Sequence, residues 1–259
     1  MSFKTYRNEG IILKSAIIRE ADLLLTIYTP HSGKIRAIAR GARKSSSKFV
    51  GHLEILNRVD ISVATGKNLD LVTQVQSIQN FSSMRSNLEA LSKGLYLCEL
   101  IDGFSVDGSG NPELYNLFCR MLTLLEDHHQ MEIQLRYFEF HLLRLSGFMP
   151  ELHTCCECHK QLEPQKHLFS PAKGGTLCDK CDRSGSVILH LSLTALKVLR
   201  FIEKTTLDDI TKVVTPKAVL TEIHALLSNS IKYWLEKELK TTAFMDRLEK
   251  EWPSNPITA

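Results

Sequence analysis

The sequence predicts an α+β chain of more than one domain. A small barrel of five short strands comes first, a mostly helical region follows, and a metal-binding cysteine knuckle interrupts the helical part. Three observations lead there. The first 80 residues read as short apolar stretches punctuated by turn residues. After Phe81 the spacing of apolar residues changes from two to three or four. Five of the seven cysteines lie between Cys155 and Cys181.

The strands are taken in order. Glu9–Lys14 is the first, and Asp22–Thr29, rich in Leu, Ile, Thr and Tyr, is the second. Pro30-His31-Ser32-Gly33 makes a turn. Lys34–Arg40 then alternates, with Ile35, Ala37 and Ala39 on one side and Lys34, Arg36 and Arg40 on the other, so it predicts a half-buried strand with a basic outer face. Ile55–Val63 and Leu69–Val75 complete the five, separated by Thr65-Gly66-Lys67-Asn68. Strand order read from sequence fits an OB-fold or an SH3-like barrel equally.

Helices follow. Leu88, Leu91, Leu95 and Cys98 or Glu99 form one predicted core stripe, ended by Gly103 and Gly108–Gly110. Asn111-Pro112 starts the next helix, with a capping side chain and Pro in the first turn. Leu135, Phe138, Leu142 and Leu145 stripe a third helix, stopped by Gly147 and Pro150. Residues 151–186 read as irregular. Helical spacing returns near Leu193–Ile202 and again from Thr215-Pro216 to about Leu239, and the tail from Trp252, with Pro253 and Pro256, reads as frayed. The resulting division is 1–80 for the barrel, 81–150 with 187–250 for the helices, and 151–186 for the knuckle.

Composition narrows the function classes. At 43% hydrophobic and 24% charged, the chain is ordinary globular material and not a disordered or fibrous one. No apolar run approaches the ~18 residues of a membrane span, and Met1-Ser2-Phe3-Lys4 does not open a secretory signal, so the expected setting is soluble and cytosolic. In a reducing compartment, clustered cysteines point to metal and not to disulfides. Cys155-Cys156-Glu157-Cys158 and Cys178-Asp179-Lys180-Cys181 are two C-x-x-C pairs, which predict one structural Zn²⁺ on Cys155, Cys158, Cys178 and Cys181. Gly174-Gly175 gives the second turn backbone freedom. Cys156 is the spare, and Cys98 and Cys119 fall in helical stripes as core. A zinc deaminase would need an open coordination position. Cys158 supplies a fourth thiolate, and Leu177 stands where a deaminase has Pro.

The net charge of +3 is uninformative, but its distribution is not. Residues 1–80 hold twelve Lys/Arg against six Asp/Glu. From Lys34 to Lys48 there are Lys34, Arg36, Arg40, Arg43, Lys44 and Lys48 and no acid. With Gly41 and Ser45–Ser47 the second half reads as a flexible loop of cations, hydroxyls and backbone donors, a mixture suited to phosphate oxygens. Tyr28 and Phe49 flank it as candidates to stack on bases. No Walker motif is present, so nucleotide hydrolysis is not expected.

These residues carry a family resemblance over nearly the whole chain. Glu9–Lys14, Glu20-Ala21-Asp22, Thr29–Lys34, Ala39–Lys44, Ser47-Lys48-Phe49, Tyr96–Leu100, Ser146–Pro150, Phe169-Ser170-Pro171 and the cysteine pairs resemble, in order and spacing, the bacterial RecO family. Two positions depart from its pattern: His159 stands where a Gly is expected after the first pair, and Lys48 is the second residue of the usual Ser-Arg-Phe. The resemblance implies an N-terminal OB-fold, a helical domain and a zinc knuckle inserted in it. It implies a DNA repair and recombination mediator, not an enzyme, that binds single- and double-stranded DNA and anneals complementary strands. Implied partners are RecR, the C-terminal tail of single-stranded DNA-binding protein (SSB) and, indirectly, the recombinase. The setting would be the bacterial cytoplasm, at the nucleoid when DNA-bound. DNA contacts carry over to Lys34, Arg36, Arg40, Arg43, Lys44 and Lys48 as a matched region.

A zinc-ribbon regulator or interaction module, binding nucleic acid through the knuckle, is the alternative. Local charge speaks against it. Lys160, Lys166, Lys173, Lys180 and Arg183 are matched by Glu151, Glu157, Glu163, Asp179 and Asp182. Four thiolates around one Zn²⁺ add about −2.

Overall fold

The computed structural model describes residues 4–127, 131–181 and 187–251. The frayed tail from Trp252 and the end of the knuckle at 182–186 lie outside the described residues. Chain contacts separate two compact units, one running to His128 and resuming at Lys240, the other His129–Leu239. Among the described residues no helix is long and apolar enough to cross a membrane.

In the first unit, strands β1 (Thr5–Ile17), β2 (Leu23–Thr29), β3 (Gly33–Ala39), β4 (Arg58–Ala64) and β5 (Asp70–Gln79) form a sheet in the order β1-β2-β3-β5-β4. It closes on itself because β1 pairs antiparallel with β4 as well as with β2, while β3 and β5 run parallel. Alternation decides what goes inside. Ala37 and Ala39 are buried with Ile12, Leu25, Ile27, Val59, Ile61, Val63 and Val72, and Arg36, between Ile35 and Ala37, is exposed.

The basic loop is not the free loop its serines suggested. Ala42, Phe49 and Leu53 join the barrel core, and successive tight turns close the path: Lys44 N to Gly41 O, Ser47 N to Lys44 O, Val50 N to Ser47 O and His52 N to Phe49 O. Three apolar anchors in a dozen residues fix a segment whose composition alone reads as mobile.

Helices α1 (Ser82–Ser86), α2 (Leu88–Phe104) and α3 (Pro112–Glu126) follow. Asn87 and Asn111 cap α2 and α3, accepting from Ala90 N and Leu114 N at 3.0 Å, and Pro112 sits in the first turn as expected. The stripe expected on α2 is displaced, since Leu88 is 52% exposed and the buried face carries Ala90, Lys93, Gly94, Leu97, Cys98 and Ile101. Close packing explains the shift. A Cβ at Gly94 would lie 2.9 Å from Met84 Sδ, so the helix is drawn in on the side of Ala90 and Gly94, which also buries Leu97 and leaves Leu88 outside. Helix α8 (Lys240–Glu251) also belongs to this unit. Its first amides, Lys240 N and Thr241 N, are bound by the Glu99 carboxylate of α2 at 3.0 and 2.9 Å, a negative charge where a helix N-terminus favours one.

The second unit is built on α4 (Met131–Leu145), α5 (Leu193–Lys204), α6 (Leu207–Ile210) and α7 (Lys217–Leu235). The predicted stripe on α4 holds for Leu135, Phe138 and Leu142, but Ile133 through Leu143 is buried on every side. Residues 151–186 are less irregular than expected. Strands β6 (His167–Ser170) and β7 (Gly175–Leu177) pair there, and β8 (Leu189–Leu191) completes a sheet in the order β7-β6-β8. These strands are three or four residues long, too short to show a period in the sequence.

Candidate nucleic-acid interface and metal centre

The barrel's surface cations divide by what compensates them. On β1 and β4, Arg7 is bonded to Asp60 (Nε to Oδ1, 2.7 Å) and Arg58 to Glu9 (2.8 Å). Where β3 begins, Lys34 Nζ donates to the Asp102 carbonyl at 2.7 Å and lies 3.5 Å from its Oδ1, with 12% of the side chain exposed. Lys14 reaches the same carboxylate at 2.6 Å, and Arg36 lies 3.6 Å from Asp107. Burial pushes the Asp102 carboxyl up, but Lys14 and Lys34 outweigh it and hold it below its ordinary range. Lys34 and Arg36 are thus placed on the basic strand but partly compensated by acids from beyond the barrel strands, Lys34 sharing the Asp102 charge with Lys14.

Farther along the chain the compensation ends. Arg40 and Lys44 are exposed and meet no carboxylate among the described residues. Arg43 Nη1 donates to Glu20 O at 2.7 Å and Lys48 Nζ to Thr73 O at 2.6 Å. A carbonyl satisfies a donor without cancelling its charge, so all four remain available to an anion. The two aromatic candidates fall out. Tyr28 and Phe49 are 1% and 6% exposed: Phe49 joins the barrel core, whereas Tyr28, on the face of β2 opposite Ile27, is buried against Tyr115 of α3 with ring centroids 6.0 Å apart. Lys48 Nζ instead sits 5.4 Å from the Phe49 ring centroid.

Sequence reasoning missed the turn between β1 and β2. Asp22 Oδ1 accepts from Gly41 N at 2.8 Å and Ala21 O from Arg43 N at 3.1 Å, and Arg19 is exposed on the same turn. The surplus of cations over the first 80 residues held the signal, but the list of Lys34–Lys48 stopped short of Arg19. The neutralising Asp102 and Asp107 could not be matched to β3 across some 70 residues of sequence.

In the second unit Cys155, Cys158, Cys178 and Cys181 converge, with all four sulfurs within 4.8 Å of one another. Sγ separations are 3.6 Å for Cys155–Cys181, 3.8 Å for Cys158–Cys178 and 3.4 Å for Cys178–Cys181. Tetrahedral thiolates about 2.3 Å from a Zn²⁺ would stand ~3.8 Å apart, so the donor set fits such an ion. Burial raises the Cys155 thiol, but backbone N–H groups of Cys158, Cys178 and Glu157 outweigh it and bring it down to about 6. Cys156 lies outside the cluster, and burial pushes its thiol up to about 11. The second turn needs glycine: Gly175 has φ 152°, and a Cβ there would lie 2.5 Å from Glu151 N and O. Lys173, one of the knuckle's few cations, is spent on Glu157 at 2.6 Å.

Comparison with known proteins covers nearly the whole chain. The profile "Recombination protein O N terminal" matches residues 1–81, and "Recombination protein O C terminal" matches 85–243. A "DNA repair protein RecO" from Dehalococcoides mccartyi strain 195 is 36% identical over 245 residues, covering 95% of this chain and 96% of the relative. Proteins of the same description from Desulforamulus reducens (35%; 95% of this chain, 96% of the relative) and Roseiflexus sp. strain RS-1 (33%; 95% and 87%) are similar over the same span.

Proposed function

Because the chain belongs to the RecO family, and so has a role in DNA repair and recombination, we propose that it is a non-enzymatic DNA-binding mediator that anneals complementary single strands. The observation that carries this reading is the division of surface charge. The barrel's paired cations face acids of its own strands or of α2 and the segment after it, whereas Arg40, Arg43, Lys44 and Lys48 keep their charge at one end. Lys34 and Arg36 then act mainly as the structural base of that surface. The strand order and the closure of β1 on β4 support reading 1–80 as an OB-fold DNA-binding domain.

Annealing is downhill, since each stacked step returns about 1.4 kcal/mol. The obstacles are repulsion between two phosphate chains and the protein that coats them. A cationic loop lowers the first by neutralising phosphate. Contact with the SSB tail would address the second, and cooperation with RecR would pass the strand to the recombinase, in the cytoplasm. Cys155, Cys158, Cys178 and Cys181 would hold a structural Zn²⁺. The ion would cross-link the two turns and, with four thiolates, leave no open position for chemistry.

The test is annealing of SSB-coated complementary oligonucleotides without ATP, by wild type and by an Arg40→Ala/Arg43→Ala/Lys44→Ala variant. Annealing without nucleotide that is lost in the variant supports the reading. A strict ATP requirement, or full activity in the variant, overturns it.

A further inference from the structure

We propose that Asp22 is a positioning residue for the DNA-binding loop, an inference that rests on the reading that this loop meets DNA. The turn between β1 and β2 is closed on itself by Ile18 N to Asp22 O (3.2 Å) and Asp22 N to Arg19 O (3.3 Å). It grips the loop at three points. Asp22 Oδ1 takes the Gly41 amide at 2.8 Å, Ala21 O takes the Arg43 amide at 3.1 Å, and Glu20 O takes the Arg43 guanidinium at 2.7 Å. Gly41 is the point where the chain leaves β3 and the uncompensated cations begin. The Glu20-Ala21-Asp22 motif is therefore the element that fixes where Arg43 and its neighbours project.

A carboxylate is an unexpected group in that place. The turn and loop together carry Arg19, Arg40, Arg43, Lys44 and Lys48 against Glu20 and Asp22, and a phosphate chain approaching them is repelled by Asp22. Electrostatics alone predicts tighter DNA binding once the acid is gone. Positioning predicts the reverse for Asp22→Ala, because an unanchored loop must be ordered at the binding step. It also predicts that Asp22→Asn, which keeps the acceptor oxygen and drops the charge, binds as well as wild type or better.

The experiment is fluorescence anisotropy of a labelled oligo-dT with the full chain, comparing wild type, Asp22→Ala, Asp22→Asn and the Arg40/Arg43/Lys44 triple variant over a range of salt. Asp22→Ala should weaken binding about three- to tenfold, the size expected when a few loop side chains are ordered on binding, with the salt slope unchanged because no cation is lost. Asp22→Asn should stay within about twofold of wild type or bind more tightly. Amide hydrogen exchange gives a second readout that does not depend on affinity. Protection at Gly41 and Arg43 should fall in Asp22→Ala and persist in Asp22→Asn. Asp22→Ala binding as tightly as wild type, Asp22→Asn as weak as Asp22→Ala, or unchanged exchange at Gly41 each overturns the proposal. A triple variant that binds normally removes the DNA reading itself, a separate failure from that of Asp22.

Discussion

Neutralising Arg40, Arg43 and Lys44 should change the salt dependence of DNA binding by a predictable amount. Four cations of the segment from Arg40 to Lys48 keep their charge: Arg40, Arg43, Lys44 and Lys48. Each cation that meets a single-strand phosphate contributes about −0.7 to the slope of log K against log salt, so the four give about −2.8. Between 50 and 200 mM salt, wild type should lose about 50-fold in affinity. The triple variant, with one contact left and a slope near −0.7, should lose only about threefold. Controls come from the compensated set. Arg7→Ala and Lys34→Met remove charges already bound to Asp60 and Asp102, so their slopes should match wild type. Anisotropy titrations of an oligonucleotide at five salt concentrations measure all four proteins. A triple variant with the wild-type slope, or Arg7→Ala flattened as much as the triple, would show that the pairing pattern does not decide where DNA binds.

Other outcomes follow from the same geometry. Cys178→Ser should lose the metal and Cys156→Ser keep it, at about one zinc per chain by elemental analysis, since only the first removes a member of the four-sulfur cluster. Gly175→Ala should destabilise the second unit by about 1–3 kcal/mol in thermal unfolding, because the added Cβ meets Glu151 backbone at 2.5 Å. Asp102→Asn should remove an acid-sensitive part of stability. The folded carboxyl lies below its ordinary 3.8, so its contribution is present above that value and lost as pH falls through the lower folded one. Denaturant unfolding between pH 3 and 7 should therefore show wild type losing its advantage over Asp102→Asn only below about pH 4.

Much of this was readable in the sequence, for identifiable reasons. The β3 alternation of Ile35, Ala37 and Ala39 against Arg36 survives because one face is buried, and a period of two leaves no choice of register. The two C-x-x-C pairs announce their meeting because each pair is local and only the closure between them is long-range. What failed depended on packing that no local pattern records. Leu88 is exposed because α2 approaches its neighbours through Ala90 and Gly94, and Phe49 is interior because the loop folds back into the barrel. Helix α8 was hidden because its N-terminus is capped by Glu99, some 140 residues earlier.

The charge pattern shows most clearly why residue lists are weaker than geometry. In sequence the run from Lys34 to Lys48 is uniform, with six cations and no acid among them. In space it is graded. Lys34 and Arg36 face Asp102 and Asp107, acids from α2 and the segment after it, while from Arg40 onward only carbonyls are within reach. The segment that follows α2 pairs with Gly33 and Lys34 and brings those two acids beside β3, so folding subtracts charge from the strand and leaves it on the loop. A surface made this way has a partly compensated base and a charged rim. On the proposed reading phosphates would meet cations of which Arg43 and Lys48 are already tied to carbonyls, and the rim would lose little of its attraction to acids of its own. That combination favours contact with any sequence of bases, which the proposed annealing would require, because two complementary strands in general differ in sequence.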